Sequence, residues 1–217
     1  MHLQPNSKLL FIGDSITDCA HGPSGEASAW EPDFGLGHGY VSMIYGWLGA
    51  AHPEAAIRVV NKGTSGNNVR DLANRWDSDV IAEKPETLCI MVGINDVWRQ
   101  FDSPLRHDLG VGPDEYRETL TKLIAASKPH IKTLHLATPY FIEPNRSDAM
   151  RARMDQYGII VREIAAESSA SFIDTQAAFD RVLAHCHSAS LGWDRVHPSP
   201  VGHMVIARAF LKSFGCL

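Results

Sequence analysis

The sequence predicts a doubly wound α/β domain, in which helices cover both faces of a parallel sheet. Five short, nearly continuous apolar segments alternate with longer segments of helical periodicity. Continuous apolar segments are typical of strands that are buried on both faces, and their alternation with helices implies right-handed crossovers between parallel strands. A chain of 217 residues is long enough to form one such domain with its own core.

The elements follow each other in a regular order. The predicted strands are residues 8–12, 57–61, 87–92, 133–137 and 171–174. The predicted helices are residues 40–51, 69–81, 114–127, 149–168 and 200–214. Asp148 and Ser199 are suitable N-cap residues for the last two helices, and Pro200 suits the first position of its helix. Gly22 to Gly39 is predicted to be the only long irregular segment.

Composition and charge exclude several classes of protein. The 20 basic and 25 acidic residues give a net charge of −5, which argues against nucleic acid or an anionic membrane surface as partner. No secretory leader is visible, and no apolar segment is long enough to cross a bilayer, so we expect a cytoplasmic protein. The four scattered cysteines predict no disulfide framework, and Cys89 suits the core.

Four polar blocks occur at the ends of predicted strands or just before the last helix. They are Gly13-Asp14-Ser15, Gly63-Thr64-Ser65-Gly66-Asn67-Asn68, Gly93-Ile94-Asn95-Asp96 and Trp193-Asp194-Arg195-Val196-His197. Each block alone has the composition of an ordinary turn or capped helix start. Ligands of open parallel sheets bind beyond the carboxyl ends of the strands, where the first three blocks are predicted to lie. Together the four blocks therefore indicate an active site.

These blocks resemble those of the SGNH (GDSL-type) hydrolase superfamily, and within it the cytoplasmic acetylxylan esterases. The similarity extends from Lys8 to Phe214 and is carried by LLFIGDSITD, VVNKG with SGN, GINDVWRQ and WDRVHPS. It implies a three-layer α/β/α fold with a five-stranded parallel sheet of flavodoxin-like type. We expect a single domain over residues 1–217, with residues 1–7 as an N-terminal extension.

The residue types in the blocks suit acyl transfer, which needs a nucleophile, a general base and an acceptor that orients the base. Ser15 supplies a hydroxyl where the first strand opens into a helical turn. His197 is the candidate base, and it would later protonate the leaving sugar oxygen. Asp194 lies three residues before His197, which is close enough on a turn to accept a hydrogen bond from its Nδ1.

Three donors are expected to stabilise the tetrahedral oxyanion. They are the backbone N–H groups of Ser15 and Gly66 and the side-chain amide of Asn95. The resemblance assigns the functional glycine to Gly66, where glycine permits a close backbone approach, and we expect Gly63 to form a left-handed turn. Asp14 and Asp96 are expected to hold loops through backbone N–H groups.

The tryptophans and the remaining histidines have simpler possible roles than catalysis or metal binding. Trp98 and Trp193 flank two of the blocks and could stack against a sugar ring or only pack at the rim. Trp30, Trp47 and Trp76 are assigned to the core or to an interface. The eleven histidines show no spacing typical of a metal site, so neither a metal nor a cofactor is expected. His203 is expected to be a hydrogen-bonded packing residue.

The sequence therefore predicts a serine esterase that removes O-acetyl groups from acetylated xylo-oligosaccharides or similar saccharides through an acetyl-serine intermediate. A lysophospholipase or thioesterase is one alternative, although no extended apolar loop follows any block. A non-catalytic sugar-binding module is another, although it would not need all of Ser15, Asp194, His197 and Asn95. The expected partners are a small saccharide substrate and further copies of the chain in a homo-oligomer.

Overall fold

The sheet has five parallel strands in the order β2-β1-β3-β4-β5. The computed structural model describes residues 1–103, 105–106 and 108–217, without the side chains of Pro32 and Asp33. The strands are β1 (Lys8–Gly13), β2 (Arg58–Gly63), β3 (Thr87–Met91), β4 (Thr133–Ala137) and β5 (Ser171–Ile173). All five predicted strands and the parallel sheet are confirmed.

The helices agree with the prediction at most positions. They are α1 (Ser15–Asp18), α2 (Tyr40–Ala51), α3 (Val69–Asn74), α4 (Ile94–Asp102), α5 (Pro113–Ser127), α6 (Ala149–Ser168), α7 (Thr175–Leu183) and α8 (Pro200–Ser213). Asp148 caps α6 and Ser199 caps α8 through side-chain hydrogen bonds, as predicted. Short 3₁₀ turns occur at Pro32–Gly35, Pro53–Ala55 and Ser188–Ser190.

The structure differs from the sequence prediction in four segments, one of which is helix α7, for which no range was predicted. The predicted helix at 69–81 ends at Asn74 and resumes as the π-helical turn Asp77–Ile81, and between the two the Arg75 side chain donates to backbone carbonyl groups. Residues 94–102, for which no helix was predicted, form helix α4. The Gly22–Gly39 segment is not the only long irregular one, because residues 138–148 also lack regular structure.

The helices form two layers around the sheet. Helices α2 and α8 pack against each other on one side, and Phe11 of β1 contacts Tyr40 and Phe210 there with ring centroids 5.7 and 5.4 Å apart. Helices α3, α5 and α6 pack together on the other side, where the rings of Tyr116 and Tyr157 lie 4.8 Å apart. This arrangement leaves the carboxyl ends of the strands open for the polar blocks.

The structure also shows where the N-terminal residues, the cysteines and several tryptophans lie. Residues 1–7 pack back onto the domain, with Leu3 in the core. Cys89 and Trp76 are buried. Trp30 and Trp47 are exposed, so of the two expected places, core or interface, the core is excluded for them. The structure contains four free cysteines. Across residues 1–103, 105–106 and 108–217, none of the helices has the length and apolar character to cross a membrane.

Candidate active site

Ser15 lies where β1 turns directly into the short helix α1. Asp14 caps this helix, because its Oδ1 accepts a hydrogen bond from the backbone N–H of Ile16 at 3.0 Å. Ser15 is the first helical residue, so its own N–H has no carbonyl partner within the helix. The turn therefore presents both a hydroxyl and a backbone donor at the edge of the sheet.

The two glycines of the second block are needed for different reasons, and the left-handed turn expected at Gly63 is wrong. Gly63 does not have a left-handed backbone; a Cβ there would lie 2.1 Å from the backbone nitrogen of Asp18, so glycine is required by the close approach of β2 to α1. Gly66 has φ +83°, and among the described residues no atom lies within 4 Å of the position that a Cβ would take. It is Gly66 that needs the conformational freedom of glycine, and Gly63 that needs its small size.

The last polar block rests on residues 138–148, the irregular segment after β4. The backbone N–H of Ile142 donates to the carbonyl oxygen of Arg195 at 2.9 Å. The hydroxyl of the buried Tyr140 donates to the carbonyl oxygen of Val196 at 3.2 Å. Arg195 itself has φ +65° and reverses the chain direction inside the block. These contacts support the loop that carries both acid and base candidates.

Ser15, His197 and Asp194 form a continuous chain of hydrogen bonds. Ser15 Oγ lies 2.9 Å from His197 Nε2, and His197 Nδ1 lies 2.6 Å from Asp194 Oδ2. Asp194 Oδ1 also accepts from the backbone N–H groups of Val196 and His197 at 2.9 and 2.8 Å. Burial alone would raise the pKa of Asp194, but these donors outweigh it and lower the pKa. An ionised Asp194 keeps the proton of a neutral His197 on Nδ1 and leaves the lone pair on Nε2 facing Ser15.

The three expected oxyanion donors belong to the segments that directly follow β1, β2 and β3. Asn95 lies in the first turn of α4 and is only 2 % exposed. Its Nδ2 donates one hydrogen bond to the carbonyl oxygen of Asn67 at 2.9 Å, which leaves the second amide hydrogen for another acceptor. Because Asn67 directly follows Gly66, this bond ties the asparagine block to the glycine block.

Arg75 is a residue of this region that the sequence did not reveal. Its guanidinium donates to the carbonyl oxygens of Gly13 at 2.9 Å and of Lys62 at 2.8 Å, and to Asn67 Oδ1 at 2.7 Å. Asp79 Oδ2 accepts a further hydrogen bond from the same guanidinium at 2.6 Å. Arg75 thus joins the ends of β1 and β2 to the loop of Gly66.

The side-chain carboxyl groups of Asp14 and Asp96 accept hydrogen bonds from backbone N–H groups, as expected. Asp96 Oδ1 accepts from the backbone N–H of Val69 at 3.0 Å and thereby fixes the start of α3, whereas its Oδ2 has no hydrogen-bond partner among the described residues. Burial raises the pKa of Asp14 and of Asp96 to about 7 in each case. Neither carboxyl group occupies the position of Asp194 beside His197.

The open side of the triad is a small cavity of about 300 Å³. Its wall includes Ser15 and His197 together with Cys19, His38 and His203. His203 is buried and accepts a hydrogen bond from the backbone N–H of Tyr40 at 3.2 Å, so it is a hydrogen-bonded packing residue as predicted. Burial lowers the pKa of His203 to about 4, which leaves it neutral near pH 7.

The two candidate sugar-stacking tryptophans are placed very differently. Trp98 is half-buried beside the base, with its ring centroid 5.9 Å from that of His197 in an edge-on contact. Arg99 lies over the Trp98 ring at 4.6 Å. Trp193 is 84 % exposed, and neither tryptophan is among the residues that line the cavity beside Ser15. The structure therefore brings Trp98, but not Trp193, against the triad.

Comparison with known proteins agrees with this geometry. The family model described as GDSL-like Lipase/Acylhydrolase matches residues 11–205, which include all four polar blocks. The chain belongs to this family. It is 54 % identical to an acetylxylan esterase of Geobacillus stearothermophilus over 217 residues, covering 99 % of this chain and 97 % of the relative.

Solved structures extend the similarity to the whole fold. A catalytic mutant of Axe2, an acetylxylan esterase from Geobacillus stearothermophilus with serine replaced by alanine, has a TM-score of 0.96 and 53 % identity, covering 99 % of this chain and 97 % of that one. Another variant of Axe2 is described as an acetyl-xylooligosaccharide esterase. LAE5, an α/β hydrolase from the metagenome of Lake Arreo, has a TM-score of 0.96 and 51 % identity, covering 100 % of this chain and 99 % of that one.

Proposed function

We propose that this family member is a serine esterase that removes O-acetyl groups from acetylated xylo-oligosaccharides or similar small saccharides. The observation that carries the proposal is the hydrogen-bonded chain from Ser15 Oγ through His197 to Asp194. Identity of 54 % to an acetylxylan esterase, over nearly the full length of both chains, supports acetylated xylan fragments as the substrate class.

In the first half of the proposed reaction, Ser15 Oγ attacks the acetyl carbonyl carbon while its proton passes to His197 Nε2. The carbonyl oxygen becomes an oxyanion that accepts hydrogen bonds from the N–H groups of Ser15 and Gly66 and from the amide of Asn95. Collapse of this intermediate breaks the bond to the sugar oxygen. His197 protonates that oxygen, and the acetyl group stays on Ser15.

In the second half, water replaces the sugar. His197 takes a proton from the water, whose oxygen attacks the acetyl-serine carbonyl through the same oxyanion site. Acetate leaves and Ser15 regains its proton from His197. Asp194 stabilises the imidazolium form of His197 in both halves without accepting the proton itself.

The cavity beside Ser15 can accept a short acyl group. The cavity beside Ser15 is about 300 Å³ and is lined in part by the polar side chains of His38, Ser65 and His203. A long acyl chain would need an extended apolar groove, which argues against the lysophospholipase or thioesterase alternative. A sugar-binding module would not require the nucleophile–base contact.

A cytoplasmic homo-oligomer completes the proposal. The extreme exposure of Trp30 (95 %) and Trp193 (84 %) supports contacts with further copies of the chain, because large exposed aromatic side chains are typical of interfaces. Light scattering of the purified protein tests this: a particle with the mass of several chains supports it, and a monomer at working concentration contradicts it.

A chain-length series of nitrophenyl esters, run beside acetate release from acetylated xylo-oligosaccharides, tests the activity. We expect the highest kcat/KM with the acetyl ester, and release of acetate that disappears in Ser15→Ala while the fold stays intact. Turnover that rises toward long acyl chains would favour the lipid alternative. Unchanged turnover in Ser15→Ala would overturn the mechanism.

A further inference from the structure

The side-chain amide of Asn95 is held in one orientation by contacts on both of its ends. Its Nδ2 donates to the carbonyl oxygen of Asn67 at 2.9 Å, and its Oδ1 accepts from a guanidinium nitrogen of Arg99 at 3.2 Å. Rotation of the amide by half a turn would place its oxygen against the Asn67 carbonyl and its NH₂ group against the Arg99 cation. Both contacts would then be repulsive, so the amide has one allowed orientation.

Arg99 is itself fixed by its neighbours on α4. It lies one turn after Asn95 on the same helix, and it forms an ion pair with Asp102. Its guanidinium also lies over the Trp98 ring at 4.6 Å, which is a cation–π contact. These contacts hold the cation at Asn95 rather than leaving it to solvent.

We propose that Arg99 is a positioning residue for the oxyanion site, which acts through Asn95. By binding Oδ1, Arg99 keeps the amide NH₂ group directed toward the reacting edge, and its charge draws electron density from the amide, which makes the remaining N–H a stronger donor. The inference rests on the proposed function, since it concerns the oxyanion of that reaction. Arg99 does not need to contact the substrate.

The effect should appear in the chemical step rather than in substrate binding. Loss of a complete oxyanion donor costs about 10²–10³ in kcat. We expect Arg99→Met to lower kcat for 4-nitrophenyl acetate by about 10- to 100-fold, because the donor remains but is misdirected. KM should change by no more than about twofold, since the ground-state ester makes little use of this bond. Arg99→Lys, which keeps a charged donor, should recover part of the activity.

A double-mutant cycle with Asn95→Ala decides whether Arg99 acts through Asn95. In the Asn95→Ala background, Arg99→Met should have no further effect on kcat, because the amide through which Arg99 acts is absent. Additive losses would show that Arg99 contacts the reacting groups independently, and a change confined to KM would make it a substrate-binding residue. Either result would overturn the inference.

Arg162 offers a matched control for the loss of an arginine. It lies over the Phe172 ring at 4.5 Å and pairs with Asp174, so it shares two contact types with Arg99 but lies on α6, without a contact to Asn95. Arg162→Met should leave kcat unchanged. If Arg99→Met does not fold, Asp102→Asn replaces it in the test, because this variant removes the ion-pair partner of the Arg99 guanidinium. It should lower kcat by a smaller factor and leave KM unchanged. An unchanged kcat in Asp102→Asn would contradict the inference.

Ser15→Ala measured in the same assay separates the two proposals. If Ser15→Ala keeps its turnover, the proposed function itself fails. If Ser15→Ala is inactive and Arg99→Met keeps full kcat, only the role of Arg99 is refuted.

Discussion

Asp194 binds His197 with both of its carboxylate oxygens. Oδ2 lies 2.6 Å from the ring nitrogen Nδ1, and Oδ1 accepts from the backbone N–H of the same histidine at 2.8 Å. The carboxylate therefore fixes the position of the loop and the tautomer of the ring together. A three-residue separation permits both contacts only because the chain turns sharply between them, at Arg195 with φ +65°.

Asp194→Asn should separate these two roles. The amide can still accept from the backbone through Oδ1, but its NH₂ group would face Nδ1 and favour the wrong tautomer. We expect kcat to fall by about 10³–10⁴ with little change in the thermal unfolding midpoint. Asp108→Asn, which alters an exposed carboxylate paired with Arg106, is the control and should keep full activity. Equal activity of both variants would refute the role of Asp194.

Arg75→Met should damage both the fold and the activity. It removes donors to the carbonyl oxygens of Gly13 and Lys62 and to Asn67. Because these half-buried acceptors lose their partner, we expect the free energy of unfolding to fall by on the order of 3 kcal/mol and kcat to fall as well. Urea unfolding and steady-state kinetics measure the two effects. Arg70→Met, within the neighbouring helix α3 and paired outward with Glu115, should show neither loss.

The two glycines of the second block should respond differently to alanine. Gly63→Ala forces a Cβ to within 2.1 Å of the Asp18 nitrogen, so we expect a loss of at least about 3 kcal/mol or no soluble protein. Gly66→Ala meets no atom but must hold φ +83°, which costs about 1–2 kcal/mol. Thermal unfolding compares them. A larger loss at Gly66 than at Gly63 would contradict the packing described for β2 and α1.

Asp96 should make stability depend on pH. Burial raises the pKa of Asp96 to about 7 in the folded protein, whereas in the unfolded chain the carboxyl group has its ordinary pKa of 3.8. Between these values the folded state binds more protons, so its stability falls as pH rises. Asp96→Asn carries no titrating proton, and its free energy of unfolding should fall less over this range than that of the natural protein. Urea unfolding at several pH values tests this; parallel curves for the two proteins would refute it.

The sequence predicted the parts of the molecule that depend on local pattern. The strands follow from apolar runs, and Ser15, Asp194 and His197 follow from residue type and block order. Helix α4 was missed because Gly93 to Asp96 have the composition of a loop, and its start is stabilised by tertiary contacts such as that of Asp96 with Val69. With α4 unrecognised, the four-residue spacing that places Arg99 beside Asn95 could not be seen.

Other features depend on contacts between distant segments. Arg75 reaches three partners that are between 8 and 62 positions away in the chain, which no local pattern reveals. The reason for glycine at position 63 was missed because the close approach of β2 to α1 is a property of the folded chain. Trp193 flanks the acid in sequence but points to solvent, because neighbours along a loop face different directions.

Rapid-quench peptide mass spectrometry tests the central claim most directly. The protein is mixed with 4-nitrophenyl acetate, stopped in acid within the first turnover and digested. We predict that the peptide containing Ser15 carries one acetyl group in the natural protein, and that this acetyl group is absent in Ser15→Ala. Acetylation of another side chain that accounts for turnover, or product release from Ser15→Ala at the natural rate, would contradict the account.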